Sequence, residues 1–367
     1  MRIGLDAKWF FEGNPSGRVV VRRIVECWLT CHPEHEYVLF LRSKDRHLPF
    51  PFASPNLTLA YVPGWPNLLA NLVTIPPRAR LLGLDAGVFF NFVPFRAPYR
   101  RVAFVNDAIF LSHPEYFSRA ERLYFASIGY LGRRAERVVT LSESEKYRLV
   151  AHGVAPPEKI SVVPLGVEES FKPRAAHPAE AMSSVASRYR LPERFLLYVG
   201  RLNRRKNIGN LLDALSRLDD PIPLVLAGAP DSKSFDLARL IRRHKIGDRV
   251  IRLGWVRDED LPALYALAHV FCFVSFEEGF GLPALEAMAS GVPALVSERP
   301  IFREVCADAA LFVDPADPIA IASALSRLLR DPAAIASLRE MGPRRASLFT
   351  WERAASCLLD ACREALR

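Results

Sequence analysis

The chain has 367 residues, 50% of them hydrophobic and 24% charged, which fits a globular protein of two domains and excludes wholesale disorder or a fibrous repeat. Its net charge of +9 divides into +6 up to Glu168 and +3 beyond it. The 49 basic residues are mostly Arg and are scattered rather than gathered in a tail, which argues against nucleic-acid binding and leaves an anionic membrane surface or a phosphate-bearing substrate as partners.

The opening run MRIGLDAKWF predicts a strand over Arg2–Leu5, and its charges at Asp6 and Lys8 do not suit the apolar core of a signal peptide, so a cytoplasmic location is expected. A helix follows Ser16-Gly17, with Val20, Ile24, Cys27 and Trp28 at helical spacing and Cys27 and Cys31 on one face. Further strands are predicted over Tyr37–Leu41, Ala86–Phe90, Val102–Val105 and Arg137–Leu141. The uncharged stretch from His47 to Pro77 is long enough to span a bilayer, but its seven prolines exclude a continuous helix. Its aromatic residues, Trp65 among them, make it the expected contact with an anionic membrane. Ser142-x-x-Glu145 has the pattern of a capping box and starts another helix.

Between Glu168 and Pro192 the Pro, Ala and Ser content predicts a join. Beyond it the alternation restarts, with strands over Phe195–Gly200, Pro223–Ala227, Val250–Leu253, Val270–Val274 and Pro293–Val296. Helices are expected over Ile208–Leu218, Ser234–His244, Leu261–Ala268 and Pro283–Ala289, and Trp351–Leu366 forms a closing helix. This is an α/β pattern of two Rossmann-like, doubly wound domains facing a cleft, with chemistry on the strand-to-helix loops. The expected extents are 1–170, a linker over 171–192, a second domain over 193–350 and the closing helix over 351–367. Six cysteines (Cys27, Cys31, Cys272, Cys306, Cys357, Cys362) show no C-x-x-C pair, which predicts buried thiols instead of a zinc site or disulfides.

Two loops stand out chemically. In Ser275-Phe-Glu-Glu-Gly-Phe-Gly-Leu-Pro-Ala-Leu-Glu-Ala-Met-Ala289 a strand passes through a glycine loop into a helix opened by Pro283. The amides of Phe280, Gly281 and Leu282 at such a helix N-terminus favour a phosphate through hydrogen bonds and the macrodipole. Glu278 and Glu286 are carboxylates suited to hydroxyls of a sugar and a ribose. In Gly200-Arg-Leu-Asn-Arg-Arg-Lys-Asn207, Arg201 can grip a phosphate bidentately and Lys206 can add a point charge. Both are expected on an exposed loop, with Arg204 and Arg205 as solvated turn residues.

These residues resemble the retaining glycosyltransferases of the GT-B fold known as group 1, including mannosyltransferase-like members. Glu278 to Glu286 looks like that family's E-x7-E motif, and Gly200–Asn207 looks like its G-R-L-x-x-x-K-N loop. The likeness runs on through Gly254-Trp-Val256, Leu261–Tyr265, Ser290–Pro293 and Ala309–Pro315. It implies that Arg201 and Lys206 bind the donor diphosphate with help from the amides at Phe280–Leu282. By the same likeness, Glu286 holds the ribose, Glu278 meets the transferred sugar, and the backbone at Trp255-Val256 meets the base.

The first half is similar to the family's opening strand and glycine loop at Met1–Ala7 and Gly13–Arg18, which brings Gly17 to the donor side. It departs at Val105-Asn106-Asp107, where mannosyltransferase-like members usually read His-Asp. Asn106 can donate a hydrogen bond but cannot carry a proton as imidazole does, and Asp107 can accept from a sugar hydroxyl. His113 is expected to be a loop residue, and Asp258-Glu-Asp260 to be a helix N-terminus and not a metal motif.

The expected activity is retaining transfer of a hexose from a nucleotide diphosphate sugar, with mild preference for GDP-mannose, to a saccharide or lipid-linked saccharide, with no cofactor or metal. Peripheral attachment to the inner face of a membrane is expected with it. Competing readings are an inactive nucleotide-binding partner subunit and a sugar-nucleotide epimerase of the same fold.

Overall fold

The computed structural model describes residues 1–13, 15–64, 66–230 and 236–367. The chain divides into two compact units, Met1–Gly166 with Thr350–Arg367, and Val167–Phe349.

In the first unit seven strands are β1 (Arg2–Asp6), β2 (Glu36–Arg42), β3 (Leu57–Val62), β4 (Ala86–Phe90), β5 (Arg100–Phe104), β6 (Arg137–Thr140) and β7 (Ile160–Val162). They form one all-parallel sheet in the order β3-β2-β1-β4-β5-β6-β7. Strands covered on both faces read as unbroken apolar runs, and β4, AGVFF, is buried at every position. The sheet order turns back between β1 and β4, and that is where ligands bind in such sheets. In register, Ile3 lies between Tyr37 and Ala86.

The uncharged stretch 47–77 is not one membrane-facing surface. It supplies strand β3, while Phe50 and Phe52 turn back onto the buried Phe10 ring, at 4.6 and 6.2 Å between centroids. Trp65 lies outside the described residues. A π-helical turn at Ala70–Thr74 places Asn71 inside the unit. No helix among the described residues is long and apolar enough to cross a membrane.

In the second unit β8 (Leu196–Val199), β9 (Leu224–Ala227), β10 (Val250–Gly254), β11 (Val270–Phe273), β12 (Ala294–Ser297) and β13 (Leu311–Val313) form a parallel sheet. Its order is β10-β9-β8-β11-β12-β13, and the turning point falls between β8 and β11. The helix expected from Ser234 is described as Leu237–His244, with Asp236 capping it through Arg239 N at 2.8 Å; residues 234 and 235 lie outside the described residues.

The segment 171–192 belongs to the second unit. Its helix Ala179–Arg188 buries Met182 and Val185, and Arg188 grips both oxygens of Asp260 at 2.8 Å. A proline-rich composition hid this helix, because Pro178 sits at its N-cap and not within it. The closing helix Trp351–Leu366 belongs to the first unit. It presents Trp351, Ala354, Ala355, Leu358, Leu359 and Cys362 inward, and Ala355 O accepts from Trp28 Nε1 at 3.0 Å. Cys31 is exposed and Cys357 half-buried, unlike the other four thiols, because Cys31 is the last residue of its helix.

Candidate active site

In the second unit the loops after β8 and β11 flank the turning point of the sheet, and they are stitched together residue by residue. Phe276 N donates to Arg205 O at 2.9 Å. Asn207 adopts a left-handed backbone (φ 58°), which asparagine tolerates, and its amide donates to Val274 O at 2.9 Å and to Pro315 O at 2.6 Å. Gly200 and Gly228 pass so closely that a Cβ on Gly228 would lie 1.9 Å from Gly200 O. Gly281, at φ 89°, caps the helix Leu282–Ala289, and a Cβ there would also meet the Phe302 ring at 2.8 Å. That helix therefore begins at the mouth of the loop pair, where Pro283 carries no N–H and Ala284 N donates to Gly281 O at 2.9 Å.

Lys206 is only 8% exposed, and Glu278 6%. The ammonium contacts the Glu278 carboxylate and lies 4.8 Å from the centroid of the Phe273 ring. Lys206 is thus buried and paired, which corrects its expected place on an exposed loop. The Gly200–Asn207 segment tucks its C-terminal half under the Ser275–Gly279 loop so that the charge is neutralised internally. Burial pulls Lys206 down to about 8 against the opposing pull of Glu278, with Arg205 and Arg201 adding to the fall. For Glu278, burial pushes upward, but Lys206 and Arg205 together hold the carboxyl below its ordinary value.

Arg205 is not a solvated turn residue either. Its guanidinium donates to Glu277 O at 2.6 Å and to Glu278 Oε2 at 3.2 Å. Arg299 holds the same loop from another side, donating to Phe276 O at 3.1 Å. Arg201 is exposed, and its carbonyl accepts from the Tyr198 hydroxyl at 2.8 Å.

Glu286 lies in the second turn of its helix, partly buried, and Tyr265 Oη donates to Glu286 Oε2 at 2.8 Å. Burial pushes the Glu286 carboxyl up to about 8; the tyrosine bond opposes this, and Glu168 and Asp258 reinforce it. Val256 is buried beside Trp255, which is 60% exposed at the end of β10. Asp260 starts the helix Leu261–Leu267, and its carboxylate is held by Arg188, Arg257 and the Tyr189 hydroxyl. Among the described residues no group of three His, Cys, Asp or Glu side chains is placed to hold a metal.

The remaining expected residues lie in the first unit. Gly17 is buried in the first turn of the helix Pro15–Cys31. Asn106 and Asp107 follow β5, half-buried, and Asp107 Oδ1 accepts from Ile109 N at 3.3 Å. The Glu145 carboxylate, buried one turn beyond its cap Ser142, accepts from Ala108 N at 2.8 Å and fixes this loop. His113 sits beside Glu115 on the following turn, with 3.0 Å between Nδ1 and Oε1.

A network that sequence inspection did not assemble lies after β1. Lys8 Nζ bonds Asp6 and Asn71, and the Asn71 amide donates to Asp6 Oδ2 at 3.0 Å and to Phe92 O at 2.8 Å. All three side chains are buried. The one signal in the sequence was the pair of charges in an otherwise apolar opening run.

Two doubly wound parallel sheets carrying a stitched, basic loop pair at a helix N-terminus define a two-domain α/β fold of the GT-B type. Sucrose-phosphate synthase from Thermosynechococcus elongatus superposes over 99% of this chain and 98% of its own, with TM-score 0.76 and 23% identity. Anabaena Alr3699/HepE in complex with UDP and glucose does so over 98% of both chains, with TM-score 0.73 and 17% identity. Residues 185–345 match the family "Glycosyl transferases group 1". The O-antigen chain mannosyltransferase B of Escherichia coli is 32% identical over 268 residues, 71% of this chain and 70% of that protein. Of two other curated relatives, a mannosyltransferase and an inositol phosphate glycosyltransferase, the match spans about half the length, 53% and 52%. The chain belongs to the group 1 glycosyltransferases.

Proposed function

We propose that this glycosyltransferase moves a hexose, preferentially mannose, from a nucleotide diphosphate sugar such as GDP-mannose to a hydroxyl of a glycan or lipid-linked saccharide, with retention at the anomeric carbon and without a metal or organic cofactor. The carrying observation is the loop pair of the second unit. There Lys206 and Arg205 both pair with Glu278, Arg201 lies near enough to act on the Lys206 charge, and the helix Leu282–Ala289 follows on the same loop as Glu278. Mannose is supported by the activities named for the relatives, and a nucleotide diphosphate by the UDP bound in the Anabaena neighbour.

In this reading Arg201, Lys206 and the amides of Phe280, Gly281 and Leu282 receive the diphosphate, Glu286 accepts from the ribose hydroxyls, and Val256 borders the base. Within the first unit, Asn106 is read as a hydrogen-bond donor, Asp107 as an acceptor for a sugar hydroxyl, and Gly17 as a donor-binding position. The bond from the anomeric carbon to the phosphate oxygen breaks while the acceptor oxygen bonds the same face, and the acceptor's proton passes to the departing phosphate. Charge neutralisation at the diphosphate grows as the bond breaks, so those cations stabilise the transition state more than the ground state.

A panel of nucleotide sugars, read by nucleotide diphosphate release with and without saccharide acceptors, tests the assignment, and the anomeric configuration of the product by NMR tests retention. Binding of nucleotide without release from any donor would support the inactive-partner reading instead.

Peripheral attachment to an anionic membrane belongs to the same proposal. It is supported by the outward face of the helix Arg119–Arg134, where Leu123 and Tyr130 stand exposed among Arg119, Arg122, Arg133 and Arg134. Co-sedimentation with phosphatidylglycerol vesicles that is insensitive to salt would count against the electrostatic part.

A further inference from the structure

The pairing of Lys206 with Glu278 poses a problem for the proposed reaction, on which this inference rests. If Lys206 turns to the donor diphosphate, Glu278 loses its nearest cation while remaining buried, and a buried carboxylate without a partner takes up a proton. We infer that Arg205 is the positioning residue that keeps Glu278 in place and ionised while Lys206 serves the diphosphate.

The geometry sets the two cations apart. Lys206 contacts Glu278 through a single flexible ammonium on Oε1, whereas Arg205 reaches Oε2 and is tethered at the same time to Glu277 O, at 2.6 Å. The Arg205 backbone is fixed as well, because its carbonyl accepts from Phe276 N at 2.9 Å. A single guanidinium nitrogen, Nη1, therefore binds both the carboxylate and the main chain that carries it. Among the described residues, the charged and polar groups seen to act on Glu278 are Lys206 and Arg205 from the loop after β8, the Tyr198 phenol from β8 and Ser275 on its own loop. Tyr198 is neutral, held well above its ordinary value by burial, so Arg205 is the charge that remains once Lys206 is engaged. Arg204, one residue earlier, is exposed and serves as the control.

The test follows Glu278 directly. The protein is labelled at the glutamate side-chain carboxyl carbon, the Glu278 signal is assigned with Glu278→Gln, and the carboxyl is titrated by NMR with GDP bound, with UDP in a parallel arm. In the wild type and in Arg204→Gln it should stay ionised down to the acid limit of folding. In Arg205→Gln its midpoint should rise by one unit or more while the affinity for GDP changes less than threefold, and Arg205→Lys should restore most of the shift.

In transfer assays Arg205→Gln should lower kcat at least tenfold and move the acid limb of kcat upward, with KM for the donor little changed. An unmoved Glu278 titration in a folded Arg205→Gln variant overturns the inference. Equal losses of GDP affinity and kcat with a fixed acid limb also overturn it, since they indicate a merely structural loop contact. A wild type that binds GDP and shows the expected titrations yet transfers no sugar overturns the proposed function and leaves this assignment standing.

Discussion

The two units solve the same problem, buried charge at the carboxyl end of a parallel sheet, in different ways. In the second unit Lys206, Arg205 and Glu278 come from two loops that flank the turning point between β8 and β11, and the carboxylate beside Lys206 is a neighbour that a ligand's phosphate can replace. In the first unit Asp6, Lys8 and Asn71 form a closed set, in which the asparagine's donors and acceptor are also satisfied within the protein. An open set with surplus positive charge is built to receive an anion. A closed set holds the loop after β1 in one conformation, because each member is costly to leave unpaired.

The contrast is sharpest under deletion of one charge. Glu278→Ala strands the Lys206 ammonium and removes the carboxylate assigned to the sugar, so transfer should fall by a thousandfold or more and stability by about 3–5 kcal/mol. Denaturant unfolding beside turnover measures both. Lys8→Ala strands Asp6 and should cost a similar ~3–5 kcal/mol, yet leave the affinity for GDP unchanged. An affinity loss in folded Lys8→Ala would erase the distinction between the open and closed sets.

Glu286→Ala should weaken nucleotide diphosphate binding by about 2–4 kcal/mol through loss of two hydrogen bonds to a carboxylate, without unfolding the protein. Calorimetry reads this directly, and unchanged affinity removes the ribose assignment. The same residue predicts a pH dependence. Its carboxyl, raised to about 8, is mostly neutral at pH 7 in the free protein, whereas accepting from two hydroxyls favours the ionised form. Nucleotide affinity should therefore rise by up to about tenfold per unit between pH 6 and 8 and then flatten, with Glu286→Gln removing that component. The sign for folding is opposite. A carboxyl raised in the folded state contributes most stability below its ordinary value near 4.5 and loses it as pH climbs toward about 8.

The smallest expected effect lies in the first unit's second loop. Asn106→Ala should slow transfer by about 1–2 kcal/mol in the barrier, since a neutral amide donor contributes one hydrogen bond, and the wild-type rate should show no histidine-like ionisation from this position. Asp107→Ala should be worse, because it also removes the acceptor for Ile109 N. A wild-type kcat profile at saturating donor, from pH 5.5 to 8.5, that tracks an imidazole and persists in Glu286→Gln would redirect attention to His113.

Much of this molecule was legible in its residues taken in order. Apolar runs alternating with helical spacing imply parallel sheets covered by helices, and a glycine loop ahead of Pro283 implies a helix N-terminus, because both follow from local backbone chemistry and a period that repeats within a few residues. The motif Glu278 to Glu286 and the loop Gly200–Asn207 were visible for the same reason: each is contiguous. What only the tertiary structure decided was which charges meet. Lys206 reads as solvent-facing until the loop after β11 covers it, Arg205 shows its role only beside Glu277, and Asn71 reaches Asp6 from 65 positions further along the chain. The helix Trp351–Leu366 likewise joins the unit at the other end of the sequence. Pairing of buried charge is settled by distance in space, and separation along the chain carries no information about it.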